Sequence, residues 1–119
     1  MNATTITSKA NAAIRRYLEL KGYEVLEANW AHGNDSIDFI VRDECGTLAF
    51  VVAEARENAG EGIPGIALDR GAFERIAAAY LTHADIVDCD VRLDAISLLV
   101  LGESRAIIRH HVNALGEVG

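Results

Sequence analysis

Ile37-Asp38-Phe39-Ile40, the segment Asp43-Glu44-Cys45-Gly46, and Leu48-Ala49-Phe50-Val51-Val52-Ala53-Glu54-Ala55-Arg56 decide how this chain folds. Two apolar runs flank a short polar segment ending in glycine, which is the pattern of a β-hairpin. The first strand opens on an aspartate and the second closes on a glutamate and an arginine. Acidic groups at the ends of paired strands are suited to converge on one point, because residues i and i+2 of a strand face the same way, about 7 Å apart.

Working outward, Ile6, Ala10, Ala13, Ile14, Tyr17 and Leu18 recur at spacings of three and four, which predicts an amphipathic helix opened by Thr7 or Ser8. Gly22 after Lys21 stops it. A strand is predicted over Tyr23 to Trp30, followed by a polar turn at Ala31 to Asn34. Residues 57–67 contain Gly60, Gly62, Pro64 and Gly65 and read as a surface loop. Asp69 is placed to cap a second helix, with Phe73, Ile76, Ala77, Tyr80, Leu81 and Ala84 on its inner stripe. Val91 to Leu101 becomes continuously apolar, as in a strand covered on both faces, and Arg105 to His111 supplies a last strand. The order is α-β-β-β-α-β-β over one domain, 1–119. The strand–helix–strand unit at 48–55, 69–83 and 91–101 predicts a parallel pair and so a mixed sheet.

Composition narrows the function classes. Of 119 residues half are hydrophobic and one is proline, so a packed globule is expected and not a disordered chain. No apolar run approaches the roughly 20 residues that span a bilayer, and the N-terminus lacks the basic and apolar regions of a secretory signal. Cys45 and Cys89 form neither a CxxC motif nor a disulfide framework, and two reduced thiols in a cytoplasmic protein is the plain expectation. The formal charge of −7 argues against tight nonspecific nucleic-acid binding, since such affinity comes from neutralising phosphates.

Other signals resolve to structural roles. Gly60-Glu61-Gly62-Ile63-Pro64-Gly65 satisfies GxGxxG, yet Arg56 to Ala59 separates it from the strand and Pro64 offers no amide hydrogen, so a loop is expected and not a dinucleotide site. His110 and His111 point to opposite faces of a strand and cannot chelate together, and the scattered histidines and cysteines form no zinc pattern. Trp30 and Tyr23 are expected in the core. Arg92 and Asp94, two apart on one strand, are expected to form an ion pair.

Read together, Tyr17-Leu18 with Gly22-Tyr23, Asn29-Trp30, Ile37-Asp38, the strand ending at Arg56, Ala79-Tyr80-Leu81, Arg92-Leu93-Asp94 and His111-Val112-Asn113-Ala114-Leu115 carry a specific resemblance. The chain resembles the YraN-like bacterial family of the restriction-endonuclease-like, or PD-(D/E)xK, superfamily, related to archaeal Holliday-junction resolvases. That resemblance implies an α/β endonuclease-like fold and a Mg²⁺ site built from strand carboxylates and a lysine.

This chain departs from the family pattern where the chemistry lies. Relatives carry Gly-Glu at Ala10-Asn11, Gly-Glu-Ile-Asp at Asp35-Ser36-Ile37-Asp38, and Glu-Val-Lys at Val52-Ala53-Glu54. Only Asp38 is retained, so Asp38 and Glu54 are the vestigial catalytic candidates, and metal ligands only if the site is active. In the alternative, Asp38 and Glu54, joined by Asp35, hold Mg²⁺ in a divergent endonuclease. Otherwise no cofactor is expected, Asp38 hydrogen-bonds at the strand start, and Glu54 pairs with Arg56 or Arg92. Arg56 and Arg70 are the candidate nucleic-acid contacts. Expected partners are a weakly bound nucleic acid or a protein, not a membrane. The resemblance allows a dimer, although no interface patch is marked in the chain.

Overall fold

The computed structural model describes residues 8–57, 63, 65–102 and 105–116. Its elements are α1 (Ser8–Leu20), β1 (Glu24–His32), β2 (Asp35–Arg42), β3 (Leu48–Arg56), α2 (Arg70–His83), β4 (Val91–Val100) and β5 (Ala106–His111). This is the element order expected from the sequence. The five strands form one mixed sheet in the order β1-β2-β3-β4-β5. The β3–β4 pair is parallel and the other three are antiparallel. The expected turn at Ala31 to Asn34 is shorter than predicted. β1 continues to His32, which pairs with Asp35, and only Gly33 and Asn34 remain between the strands.

Each helix covers one sheet face. Ala10, Ile14 and Leu18 of α1 pack with Phe39, Val41, Ala49, Val51, Ala53, Ile96 and Leu98. On the other side, Ile76, Ala77 and Tyr80 of α2 pack with Ile37, Ile40, Leu48, Phe50 and Leu93. β3 is therefore apolar from Leu48 to Ala53 because its alternate residues feed two cores. Phe50 is fully buried and meets the rings of Phe73 and Tyr80 edge-on. Truncating it to alanine would cost about 3–5 kcal/mol.

Both helices end in the same device. Gly22 N–H donates to the Glu19 carbonyl and Tyr23 N–H to the Leu18 carbonyl, closing α1 with Gly22 at φ +93°. At the end of α2, Asp85 N–H donates to Thr82 and Ile86 N–H to Leu81, with Asp85 at φ 55° where glycine is the usual occupant. Asp69 caps α2 as expected, accepting from Ala72 N–H at 3.0 Å. The glycine loop reading falls mostly on residues 58–62 and 64, and the Ile6 and Thr7 parts of the first-helix reading on residues 6 and 7, all outside the described residues. Among the described residues, no helix is long and apolar enough to cross a membrane.

Candidate functional site

The first of the two acids singled out in the sequence closes a fork between strands, next to the residue that precedes the second. The β2–β3 ladder runs from Arg42↔Leu48 to Phe39↔Val51, and there its pairing ends. Ile37 belongs to the α2-side core while Phe39 belongs to the α1-side core, so the pleat of β2 breaks at Asp38. The freed Ala53 N–H is taken by the Asp38 carboxylate, Oδ2 accepting at 2.7 Å. Burial pushes the Asp38 pKa up, and the Ala53 hydrogen bond only partly opposes it. Asp38 thus hydrogen-bonds to the backbone as anticipated, but as the fourth residue of β2 and not at its start, and its partner is the residue immediately before Glu54.

The third acid does not join them. Asp35 is clamped by Arg75, which donates from Nε to Oδ2 at 2.8 Å and from Nη2 to Oδ1 at 3.0 Å. That bidentate bond holds the Asp35 carboxyl below the usual carboxylate range. Nor does Glu54 pair with Arg92, whose guanidinium binds Asp43 and Asp94 instead. Among the described residues no three histidine, cysteine, aspartate or glutamate side chains assemble into a metal-ligand set. Magnesium wants near-octahedral oxygen donors. Here Asp35 has both oxygens on an arginine, Asp38 has one on a backbone amide, and position 52 is an aliphatic valine. The residues present do not fit the ion.

Basic groups adjoin the fork. Glu54 is in register with Ser97, and Ser97 with Arg109 of β5, so these three side chains form one row on the α2 side of the sheet. Neighbouring strands lie about 4.8 Å apart, which sets Arg109 roughly 10 Å from Glu54 between Cα atoms. Arg56, two residues beyond Glu54 on β3, shares the face and is half-buried, whereas Arg70 opens α2 and is exposed. Arg109 is also exposed. Sequence reasoning missed Arg109, because its place beside Glu54 depends on a register across β4.

A second polar cluster lies on the α1 side, at the start of β4. Asp94 is fully buried, yet each of its oxygens accepts two hydrogen bonds. Oδ1 takes Arg92 Nε and the Asn113 N–H, both at 2.9 Å. Oδ2 takes Arg92 Nη2 at 3.3 Å and His110 Nε2 at 2.9 Å. Burial would raise the Asp94 pKa, but the bonds from His110, Arg92 and Asn113 prevail and lower it. Arg92 also reaches Asp43 Oδ2 at 2.7 Å and the Tyr23 hydroxyl at 3.1 Å. Asp43 in turn organises the β2–β3 turn, its Oδ1 accepting from the N–H groups of Cys45 and Thr47.

The Tyr17 hydroxyl lies 3.0 Å from His110 Nδ1. A carboxylate only accepts, so His110 Nε2 carries a proton toward Asp94. Hydroxyl, imidazole and carboxylate thereby share the connectivity of a nucleophilic triad. Burial raises the Tyr17 pKa, with Tyr23 and Asp94 adding to it, which keeps the phenol protonated. A neutral phenol with a raised pKa is a poor nucleophile. The cluster instead ties α1, the β2–β3 turn, β4, β5 and the residues after β5 together.

Fold and site define a mixed α/β protein in which the cluster around Asp94 is bonded internally and the candidate acidic fork is depleted of oxygen donors. The chain belongs to the Uncharacterised protein family UPF0102, whose model matches residues 10–98 and which is the family of the YraN-like proteins. It is 30% identical over 101 residues to a UPF0102 protein of Trichlorobacter lovleyi, covering 82% of this chain and 80% of that one. It is 31% identical to one of Geobacter sulfurreducens, covering 82% and 78%, and 34% identical to one of Beutenbergia cavernae, covering 80% and 82%. Tyr17, Tyr23, Arg92, Asp94 and Asn113, from the segments that carried the family resemblance, meet in the Asp94 cluster.

Proposed function

We propose that this protein is a catalytically silent member of an endonuclease-like scaffold, which holds a nucleic-acid backbone at the β2–β3 fork without cutting it. The observation that carries this reading is the bond from Ala53 N–H to Asp38, beside a valine at position 52 and an Asp35 committed to Arg75. Hydrolysis of a phosphodiester by a metal ion needs convergent oxygen donors and a group that handles the attacking water. The fork offers two acids and aliphatic surface. Binding without cleavage needs only cations near the backbone, and Arg56 and Arg109 on the face of Glu54, with the exposed Arg70 at the start of α2, are the candidates to supply them. The overall charge of −7 keeps such binding weak and sensitive to salt.

The test is fluorescence anisotropy with branched, flapped and single-stranded DNA and RNA, beside cleavage assays in Mg²⁺ and Mn²⁺. The expected result is micromolar or weaker, salt-dependent binding and no cleavage. Absence of binding to every substrate would refute the reading and favour a protein partner, in keeping with the acidic charge.

A second reading draws on Asp38 being bonded to Ala53, the residue before Glu54: a divergent Mg²⁺-dependent endonuclease using those two acids. Under it, Mg²⁺ or Mn²⁺ raises Tm, and Asp38→Ala abolishes both that shift and DNA cleavage.

A further inference from the structure

The outer strands of the sheet, β1 and β5, are built differently. β1 is an irregular edge, with a register shift between Val25 and Glu27 and a left-handed Asn29 at φ 54°. Such irregularities keep an edge strand from templating another chain. β5 has neither, and its pairing with β4 holds without a shift from Val100↔Ala106 to Ala95↔His111.

The free side of β5 can be assigned residue by residue. Leu101 N–H donates to the Arg105 carbonyl at 2.9 Å, so Leu101 and Arg105 are a hydrogen-bonded pair. Bonded and non-bonded pairs alternate along an antiparallel ladder. In the β4–β5 register, Ile107 and Arg109 therefore bond back to Leu99 and Ser97. Ala106, Ile108 and His110 turn their N–H and C=O groups away from β4.

Charge says what fits there. No acidic residue lies between Glu103 and Glu117, an interval that holds Arg105, Arg109, His110 and His111, although the chain as a whole carries −7. Pairing β5 with a second copy of itself would set arginines of both copies along one ladder, and like charges across strands are destabilising. An acidic strand turns that repulsion into attraction. It would also cover Ile107, which is 42% exposed on the face it shares with Arg109.

We propose that β5 takes up an extended acidic segment of a protein partner as an added strand, bonded to the outward backbone groups of Ala106, Ile108 and His110. Acidic side chains of that segment lie on the face of Arg109 and apolar ones on the face of Ile108, whose side chain packs on the α1-side core. Main-chain bonds supply affinity and the alternating side chains supply selectivity.

The probes are two fluorescein-labelled peptides, one alternating valine with glutamate and the other alternating valine with lysine. The acidic peptide should bind and the basic one should not. With the acidic peptide, amide hydrogen exchange of the isotope-labelled full chain should slow selectively at Ala106, Ile108 and His110, about tenfold or more. Ala106→Pro removes one outward N–H and keeps the bonds to β4, and should weaken the acidic peptide about fivefold. Arg109→Glu should reverse the preference toward the lysine peptide. Nucleic-acid binding by arginine side chains uses none of these backbone groups, so Ala106→Pro leaves it unchanged and the two readings fail separately. Equal affinity for both peptides, no binding of the acidic one, indifference to Ala106→Pro, or protection falling at Glu54 and Arg56 instead would each overturn the proposal. The exchange pattern is read on the unaltered chain, so the outcome does not depend on a variant folding.

Discussion

The Asp38 carboxylate accepts a hydrogen bond from the backbone of Ala53 at 2.7 Å, where the β2–β3 ladder would otherwise continue. A side chain thus replaces a backbone partner, and a group suited to metal ligation is put to closing a fork. Because burial raises its pKa, ionising Asp38 is harder in the folded chain than in the unfolded one. Between the unfolded and folded pKa values the native state binds more protons, so stability falls as pH rises through that interval and stays lower above it. Asparagine keeps the acceptor and removes the charge. Asp38→Asn is therefore expected to raise Tm at pH 7 by up to about 4 °C, the shift that about 1 kcal/mol produces. The gain should vanish below pH 4, as thermal melts across pH will show. A loss of stability at pH 7 would count against the burial argument.

Asp94 carries the opposite sign. Its pKa is lowered in the fold, so the stability it contributes is present above the unfolded carboxylate value of about 3.9 and is lost as pH falls through the folded value. Asp94→Ala strands the largely buried Arg92 and His110, whose side chains are 16% and 7% exposed. The expected cost is about 3–5 kcal/mol in urea unfolding at pH 7. Tyr17→Phe removes only the hydroxyl from His110 and should cost about 1 kcal/mol. Equal costs for the two variants would mean that the cluster does not act as a network centred on Asp94.

At the end of α2, Asp85 occupies a left-handed conformation that glycine adopts without steric cost. Asp85→Gly is expected to stabilise the protein by about 0.5–1 kcal/mol, read from the urea midpoint at unchanged slope. A destabilised variant would show that the Asp85 side chain contributes more than its backbone strain costs.

If Arg56, Arg70 and Arg109 each meet one phosphate, the logarithm of affinity should fall with the logarithm of salt at a slope of about −2 to −3. Arg109→Ala should weaken binding to all sequences alike and reduce that slope by about 1. An unchanged slope would remove Arg109 from the interface. By contrast, Arg75→Ala should leave Tm unchanged within error, because the Arg75 side chain is 62% exposed and its pair with Asp35 is screened by solvent.

Restoring chemistry is a sharper trial of the scaffold reading. Val52→Glu with Glu54→Lys returns the side chains that the family resemblance implies at those positions. Metal-dependent cleavage appearing in the double variant and not in the parent is the expected outcome. Cleavage by the parent would instead support the two-acid endonuclease.

Much of the architecture was legible in the residues. The three- and four-residue spacing of Ala10, Ile14 and Leu18, the Gly22 stop, the Asp69 cap and the Asp43–Gly46 turn are local signals read through backbone preference alone. The Arg92–Asp94 pair was legible for the same reason, since two residues apart on a strand share a face. The pairing of Glu54 with Arg92 was not borne out, because the two sit on opposite faces of the sheet, one toward α2 and the other toward α1.

The sequence by itself determined the order of helices and strands, the mixed sheet, and a valine at position 52 and a glutamate at position 54 where the family resemblance implies glutamate and lysine. Those properties follow from local periodicity and from side-chain identity. Only the tertiary structure decided that Asp35 is spent on Arg75, that Asp38 closes a fork onto Ala53, and that Arg92 reaches Asp43 across 49 residues of chain. Each of these depends on strand register and helix placement. Burial of the whole apolar set fixes both together, and no short window of residues encodes either one.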